Sequence, residues 1–302
     1  MHRLDLSSEL EARLVRQELL ARHTTFRIGG PADLFLRIDT RADLIQAVRA
    51  ARAAGLDFFI LGNGSNILVA DAGIRGLVIE NHADGYGTRM ENGCLVLTTE
   101  SGGTLPGLAN RMARQGWSGL EWAIGVPSTI GAAVVGNAGA HGGSVADNLQ
   151  CAEVLTRQGQ IEWWPNAAFE FAYRSSRLKK NPSEWVVLQA EFDFKRDDPA
   201  ACIARMNKYT EHRRRTQPTD PSVGSMFKNP PGDYSGRLIE AAGLKGTRVG
   251  AVEVSPVHAN FFVNHGGATA QDIVALIELV RARVRDQFGV ELELEIQLVG
   301  NW

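Results

Sequence analysis

Two glycine-rich stretches carry residue types that bind phosphates or flat ligands through the main chain. The first is Leu61-Gly62-Asn63-Gly64-Ser65-Asn66-Ile67-Leu68-Val69. Glycine lets backbone N–H groups approach an anion and adopt φ > 0, and Ser65 and Asn66 add side-chain donors. The segment is no dinucleotide fingerprint, because the third glycine of G-x-G-x-x-G is missing and strand leads to strand; nor is it a P-loop. On spacing alone, a phosphate cradle and a plain tight hairpin fit equally well. The second stretch is GVPSTIGAAVVGNAGAHGG, residues 125–143. Its Gly125, Pro127, Gly131, Gly136, Asn137, Gly139 and Ala140 offer another run of backbone able to lie against a large flat ligand. Two such runs suit a ligand with two ends and a diphosphate between them. Close packing of two sheets through glycine is the plainer alternative.

Other side chains stand where charge or proton chemistry is possible. Arg174, beside Tyr173 in FAYRSS, is always charged and can grip a carboxylate through two parallel hydrogen bonds. Ser225 lies in QPTDPSVGSMFKNPPGDYSG, a long loop that also holds Lys228 and Asn229. Long loops inside compact domains are more often functional than accidental. Read from pattern alone, Ser225 is turn chemistry, Arg174 a surface arginine, and Glu295 one of several glutamates on a wet strand face. Lys245, Asn260 and His258 are polar neighbours without a distinctive pattern. Arg213-Arg214-Arg215 reads as a solvated helix end, with an anionic ligand site as its alternative. Cys94, Cys151 and Cys202 are odd in number and far apart, which suits neither zinc nor a disulfide framework and points to a reducing compartment.

The elements that must position these residues are an α+β mixture. Residues 7–21 show helix-like spacing at Leu10, Leu14, Leu19 and Leu20. A firmer helix spans 41–54, with Thr40 as cap, Asp43 three places on, and Gly55 as stop. Strands are expected at Phe58–Leu61, Ile67–Val69, Leu77–Ile79 and Val186–Phe194. Helices are expected from Thr104 to Gly116 with Pro106 in the first turn, over 199–215, and over 270–288 between Thr269/Asp272 and Gly289. Val290, Leu292, Leu294, Ile296 and Leu298 alternate with polar residues and predict a terminal strand. Composition is globular: the chain has 302 residues, 44% hydrophobic and 22% charged, with a formal charge of −2, which recommends neither nucleic acid nor an anionic membrane. The N-terminus lacks a signal-peptide core and no run is long enough to span a bilayer, so a cytoplasmic location is expected.

LGNGSNILV followed by GVPSTIGAAVVGNAGAHG resembles the flavin-binding half of the UDP-N-acetylenolpyruvoylglucosamine reductase family. TTFRIGGPA (24–32), FAYRSS (171–176), GSMFKNP (224–230), LIEAAGLKG (238–246) and LELEI (292–296) resemble further blocks of that family in the same order. The stretch between Arg174 and Ser225 is short, which matches the family's shorter branch, without the insertion that carries a gating tyrosine. Ala140-His141-Gly142 departs from the family's usual Ala-Tyr-Gly.

The resemblance implies a three-lobed FAD enzyme with a vanillyl-alcohol-oxidase-like fold. Lobe 1 would be 1–66 with 291–302, lobe 2 would be 67–197, and a substrate domain would span 200–290. It implies FAD bound by Asn63, Gly64, Ser65, Asn66, Gly125, Pro127, Ser128, Gly131, Asn137 and Gly139, with no metal. NADPH and UDP-N-acetylglucosamine enolpyruvate would be the substrates, in peptidoglycan precursor synthesis. Ser225 matches the family's proton donor, Arg174 its catalytic arginine and Glu295 its general acid or charge stabiliser. Glu291 and Glu293 share the pattern of Glu295 and would serve as controls without a chemical role. Tyr173, Lys228, Asn229 and Lys245 are the implied substrate contacts. The expected species is a monomer.

Overall fold

Capping chemistry sets the ends of the long helices in the computed structural model, which describes residues 4–182 and 184–302. Thr40 accepts a hydrogen bond from Asp43 N and opens the helix Arg41–Ala53. Pro106 sits in the first turn of Leu105–Arg114, where its missing N–H costs no hydrogen bond. Thr269 and Asp272 form a reciprocal capping box for Ala270–Phe288, and Gly289 ends it in the left-handed conformation.

The chain divides into two compact units, each assembled from separate stretches of sequence. The first comprises the N-terminal residues up to Leu14, Leu36–Gly62 and Ile79–Arg213. Its frame is an antiparallel sheet in the order Ile161–Pro165, Leu149–Thr156, Trp185–Arg196, Cys94–Glu100, Tyr86–Glu91. Trp185–Arg196 alternates buried and half-buried positions between its two long neighbours, as a central strand with one apolar face must. That face packs Leu97, Val154, Phe192 and Phe194 against Leu105, Leu108 and Met112 of the helix Leu105–Arg114. Arg41, at the start of its helix, forms a two-pronged ion pair with buried Glu153 at 2.6 Å. Between Gly125 and Gly143 the chain makes one short helix, Ile130–Gly136, seated on buried Ile130, Ala133 and Val134.

The second unit comprises Val15–Phe35, Asn63–Val78 and Arg214–Trp302. The helix Ala270–Phe288 buries Ile273, Leu276, Ile277, Val280 and Val284. They share a core with Phe26, Leu68, Met226, Phe227 and Phe262. Asp71 accepts from Ala270 N at 2.8 Å and Gln271 N at 3.2 Å, so a carboxylate meets the positive end of that helix. The strands Arg248–Val249, Val252–Val254 and Phe262–Asn264 form a small antiparallel sheet. Gln297–Val299 pairs in parallel with Ile67–Val69.

Two expected elements are different in the structure. The single helix over 7–21 is instead a short helix, Ser8–Ala12, capped by Ser7, followed by the strand Val15–Leu19 and a 3-10 turn, Leu20–His23. Val15–Leu19 pairs antiparallel with Pro31–Ile38, for example Val15 with Phe35. A partner strand satisfies these backbone groups, and that tertiary gain outweighs the local helical spacing. The terminal strand expected over 290–298 is reduced to Gln297–Val299. Leu292 and Ile296 are buried but Leu298 is 42% exposed, so the alternation changes phase before Gln297. In the two compact units, 291–302 cluster with 214–290. Residues 1–3 of the first lobe and residue 183 of the second lie outside the described residues.

Candidate functional site

Gly64 shows why the first glycine turn has its sequence. Its φ is +58°, and a Cβ would stand 2.2 Å from His23 O, so both conformation and space require glycine. Thr25 N donates to Gly64 O at 3.2 Å and fixes the turn from below. Asn66 Nδ2 donates to Glu295 O at 3.3 Å, and Gln297 N donates to Asn66 O at 3.0 Å. The turn is thereby stitched to the segment that carries Glu295. Asn63 is exposed and Ser65 half-buried.

The serine loop is held like a strand although it is irregular. Ser225 bridges Phe261, and Met226 N donates to Asn260 O at 2.7 Å. The buried Asn260 side chain completes the pairing: its Oδ1 accepts from Phe227 N at 2.9 Å and its Nδ2 donates to Phe227 O at 2.8 Å. On the other edge, Glu295 N donates to Met226 O at 2.9 Å and Lys228 N to Glu293 O at 2.8 Å. Ser225 and Glu295, far apart in sequence, are thus carried by neighbouring segments, and both are half-buried.

Glu291 and Glu293 keep exposed side chains, 69% and 71% accessible. Glu293 is nevertheless no inert control, because it forms an ion pair with Lys228. Lys228 is therefore engaged, as are Asn229, whose Oδ1 accepts from Ser235 N at 3.1 Å, and Lys245, 2.8 Å from Glu240. His258 Nδ1 accepts from Asn260 N at 3.2 Å, and burial holds its pKa below the ordinary histidine value.

Arg174 belongs to the first unit and sits in a tight turn. Ala172 and Ser175 exchange backbone hydrogen bonds at 3.0 and 3.1 Å, which leaves Tyr173 and Arg174 at the bend. Arg174 has φ +54°, a conformation costing a non-glycine residue about 1–2 kcal/mol. Its Nη1 donates to Gly139 O at 2.7 Å, and Lys179 Nζ donates to Arg174 O at 3.0 Å. Tyr173 is 56% exposed, with the guanidinium 5.5 Å from its ring centre.

The second glycine stretch surrounds that turn with mixed roles. Asn137, in the left-handed conformation at the end of Ile130–Gly136, uses both ends of its amide on protein backbone. Gly131 N donates to Ser101 O at 2.8 Å, and Ser128 Oγ to Thr129 O at 2.9 Å. Pro127 is exposed. A Cβ on Gly125 would lie 2.3 Å from Arg213 Cδ. The half-buried Arg213 has no hydrogen bond or carboxylate partner among the described residues, and burial lowers its pKa. His141 stacks on Tyr209 with ring centres 4.3 Å apart, and His212 stands edge-on at 5.6 Å. A cluster of possible metal ligands, Glu121, Asp197 and Cys202, is filled by the Arg205 guanidinium, 2.6 Å from Glu121.

Comparison with known proteins decides the family. The family model described as UDP-N-acetylenolpyruvoylglucosamine reductase, C-terminal domain, matches residues 217–299, and an FAD binding domain matches residues 32–164. The chain is 42% identical over 297 residues to the reductase of Chloroflexus aggregans, covering 97% of this chain and 100% of that one. It is 46% identical to the reductase of Rubrobacter xylanophilus, over 94% of each chain. The chain belongs to the UDP-N-acetylenolpyruvoylglucosamine reductase family. The crystal structure of the Thermus caldophilus reductase superposes with a TM-score of 0.79 at 35% identity, covering 95% of this chain and 98% of that one. A protein of this reductase family is an FAD-dependent oxidoreductase with an α+β fold, as expected from the sequence.

The residues present fit a flavin dinucleotide. Gly136 has no unusual φ and nothing within 4 Å of where a Cβ would sit, so neither conformation nor protein packing explains the glycine. A ligand lying against the backbone would have room there. Arg213 supplies a desolvated cation without a protein anion, which suits a diphosphate or carboxylate. Sequence reading kept an anionic ligand site at Arg213 only as the alternative, because a run of arginines at a helix end is ordinarily solvated. It also underrated Asn260, whose role rests on a backbone partner 33 positions away.

Proposed function

We propose that Ser225, Glu295 and Arg174 perform the proton and charge work of this family's reaction. That reaction is the NADPH-dependent reduction, through FAD, of the enolpyruvyl double bond of UDP-N-acetylglucosamine enolpyruvate to UDP-N-acetylmuramate. When bound, FAD supplies a hydride acceptor for NADPH and a hydride donor for the enolpyruvyl methylene carbon. As that carbon gains hydride, negative charge develops on the neighbouring carbon and its carboxylate. Arg174 holds the carboxylate through its guanidinium, which lowers the energy of the developing charge. Ser225 Oγ delivers the proton to the carbanionic carbon, and Glu295 acts beside it as general acid or charge stabiliser. The observation that carries this reading is the ladder of hydrogen bonds that sets Glu295 on Met226, next to Ser225. Asn63, Gly64, Ser65, Asn66, Gly125, Pro127, Ser128, Gly131 and Gly139 are proposed to line FAD. Tyr173, Lys228, Asn229 and Lys245 are proposed to meet the substrate, with Lys228 leaving Glu293 to do so. Among the described residues no helix is long and apolar enough to cross a membrane. A monomeric cytoplasmic enzyme is proposed.

Stopped-flow absorbance tests the reading. The purified yellow protein is reduced anaerobically with NADPH and then mixed with UDP-N-acetylglucosamine enolpyruvate. Rapid return of oxidised flavin absorbance is expected. A flavin that ignores this substrate yet reoxidises quickly in air would replace the reading with an oxidase on the same fold.

A further inference from the structure

Both ends of the Asn137 amide are used on protein backbone. Oδ1 accepts from Ala146 N at 3.1 Å and Nδ2 donates to Ala172 O at 3.0 Å. Ala172 O also receives Ser175 N at 3.1 Å, so both of its lone pairs are used in closing one turn. That turn holds Arg174 at φ +54°, and such a conformation persists in a non-glycine residue only where its surroundings over-determine it. Two residues beyond Asn137, Gly139 O takes the Arg174 guanidinium at 2.7 Å. Two residues before Asn137, Val135 O accepts from buried Ser176 Oγ at 2.6 Å, just after the bend. The end of the helix Ile130–Gly136 therefore grips the arginine turn at three points: base, guanidinium and exit. Asn137 suits the place because asparagine tolerates the left-handed region and carries donor and acceptor on one planar group.

We propose that Asn137 is a positioning residue for Arg174, holding the turn whose guanidinium meets the substrate carboxylate. The inference rests on the role proposed for Arg174. Asn137→Asp keeps the acceptor for Ala146 N and removes the donor to Ala172 O. Asn137→Gly keeps the left-handed helix end and removes the clamp. The experiment compares both holoenzymes with wild type, Arg174→Lys and Asn137→Asp/Arg174→Lys in the two half-reactions.

For both Asn137 variants, flavin content and flavin reduction by NADPH are expected to match wild type. Reoxidation by UDP-N-acetylglucosamine enolpyruvate should slow by roughly tenfold, as the loss of one geometry-setting hydrogen bond implies, with the effect in kcat more than in KM. The double variant should be no slower than Arg174→Lys, because residues acting as one unit are not additive. Normal reoxidation in both Asn137 variants would overturn the proposal, as would loss of flavin in both, or full additivity with Arg174→Lys. Normal reoxidation in Arg174→Lys would instead remove the role of Arg174 on which the proposal stands.

Discussion

The arginine turn of the first unit and the serine loop of the second reach the same end by different means. Each is irregular, each presents a side chain proposed for the chemistry, and each is closed by the amide of an asparagine, Asn137 or Asn260. Around Ser225, hydrogen bonds to the loop's backbone on both edges do the holding: Asn260 O and Oδ1 on one side, Glu295 N and Glu293 O on the other. Among the described residues the Ser225 hydroxyl has no hydrogen-bond partner, which leaves it available for the proposed proton transfer. Around Arg174, the guanidinium itself helps hold the turn through Gly139 O, and the backbone at the bend is left-handed. A residue that is both support and reagent cannot be replaced without moving the site. One held by its neighbours' backbone can.

This contrast makes its largest prediction at Ser225. Ser225→Ala should fold and bind FAD normally and be reduced normally by NADPH. Flavin reoxidation by the sugar substrate should slow by roughly 10²- to 10⁴-fold, the usual worth of a positioned proton donor. Glu295→Gln should behave similarly and Glu291→Gln should remain near wild type. Equal damage at both glutamates, measured by single-turnover absorbance, would point to folding rather than chemistry.

A stability change of intermediate size tests the turn stitched to Glu295. Gly64→Ala places a Cβ against His23 O in a left-handed backbone, and should lower stability by about 2 kcal/mol or more. Flavin content should fall with it. An unchanged urea midpoint with full flavin occupancy would show that the turn can open without consequence.

The smallest effect is a pH dependence on the serine side. His258 has its pKa lowered first by burial, and its Nδ1 must stay unprotonated to accept from Asn260 N. The native protein therefore binds fewer protons at this group than the unfolded chain does. Its stabilising contribution is complete above the unfolded pKa of about 6.5 and is lost as pH falls from there toward the lowered native value. Urea unfolding at pH 8, 6 and 5 should show a steeper loss in wild type than in His258→Asn. Parallel curves would mean that His258 is not coupled to the Asn260 clamp.

Much of the frame was legible in the residues because its signals are short-range. Thr40 with Asp43, Thr269 with Asp272, Pro106, Gly55 and Gly289 act within one helical turn of themselves, so capping chemistry alone locates those helix ends. Gly64 was legible for the same reason, as a turn glycine, although the backbone it must avoid lies in another segment. The order of motif blocks also carried the family and its reaction.

Only the tertiary structure decided which polar residues face which neighbours. Glu293 and Glu295 share one alternating pattern, yet one pairs with Lys228 at the surface while the other is half-buried beside the serine segment. The change follows from Met226 and Asn66 drawing the main chain at Glu295 into hydrogen bonds unavailable to an isolated strand. Val15–Leu19 became a strand because Pro31–Ile38 lay beside it, and Arg213 lost its solvent because Gly125 leaves room for its stem. Residue type and local spacing determine which chemistry is available to this chain; partners distant in sequence determine where each group points and how much water it keeps.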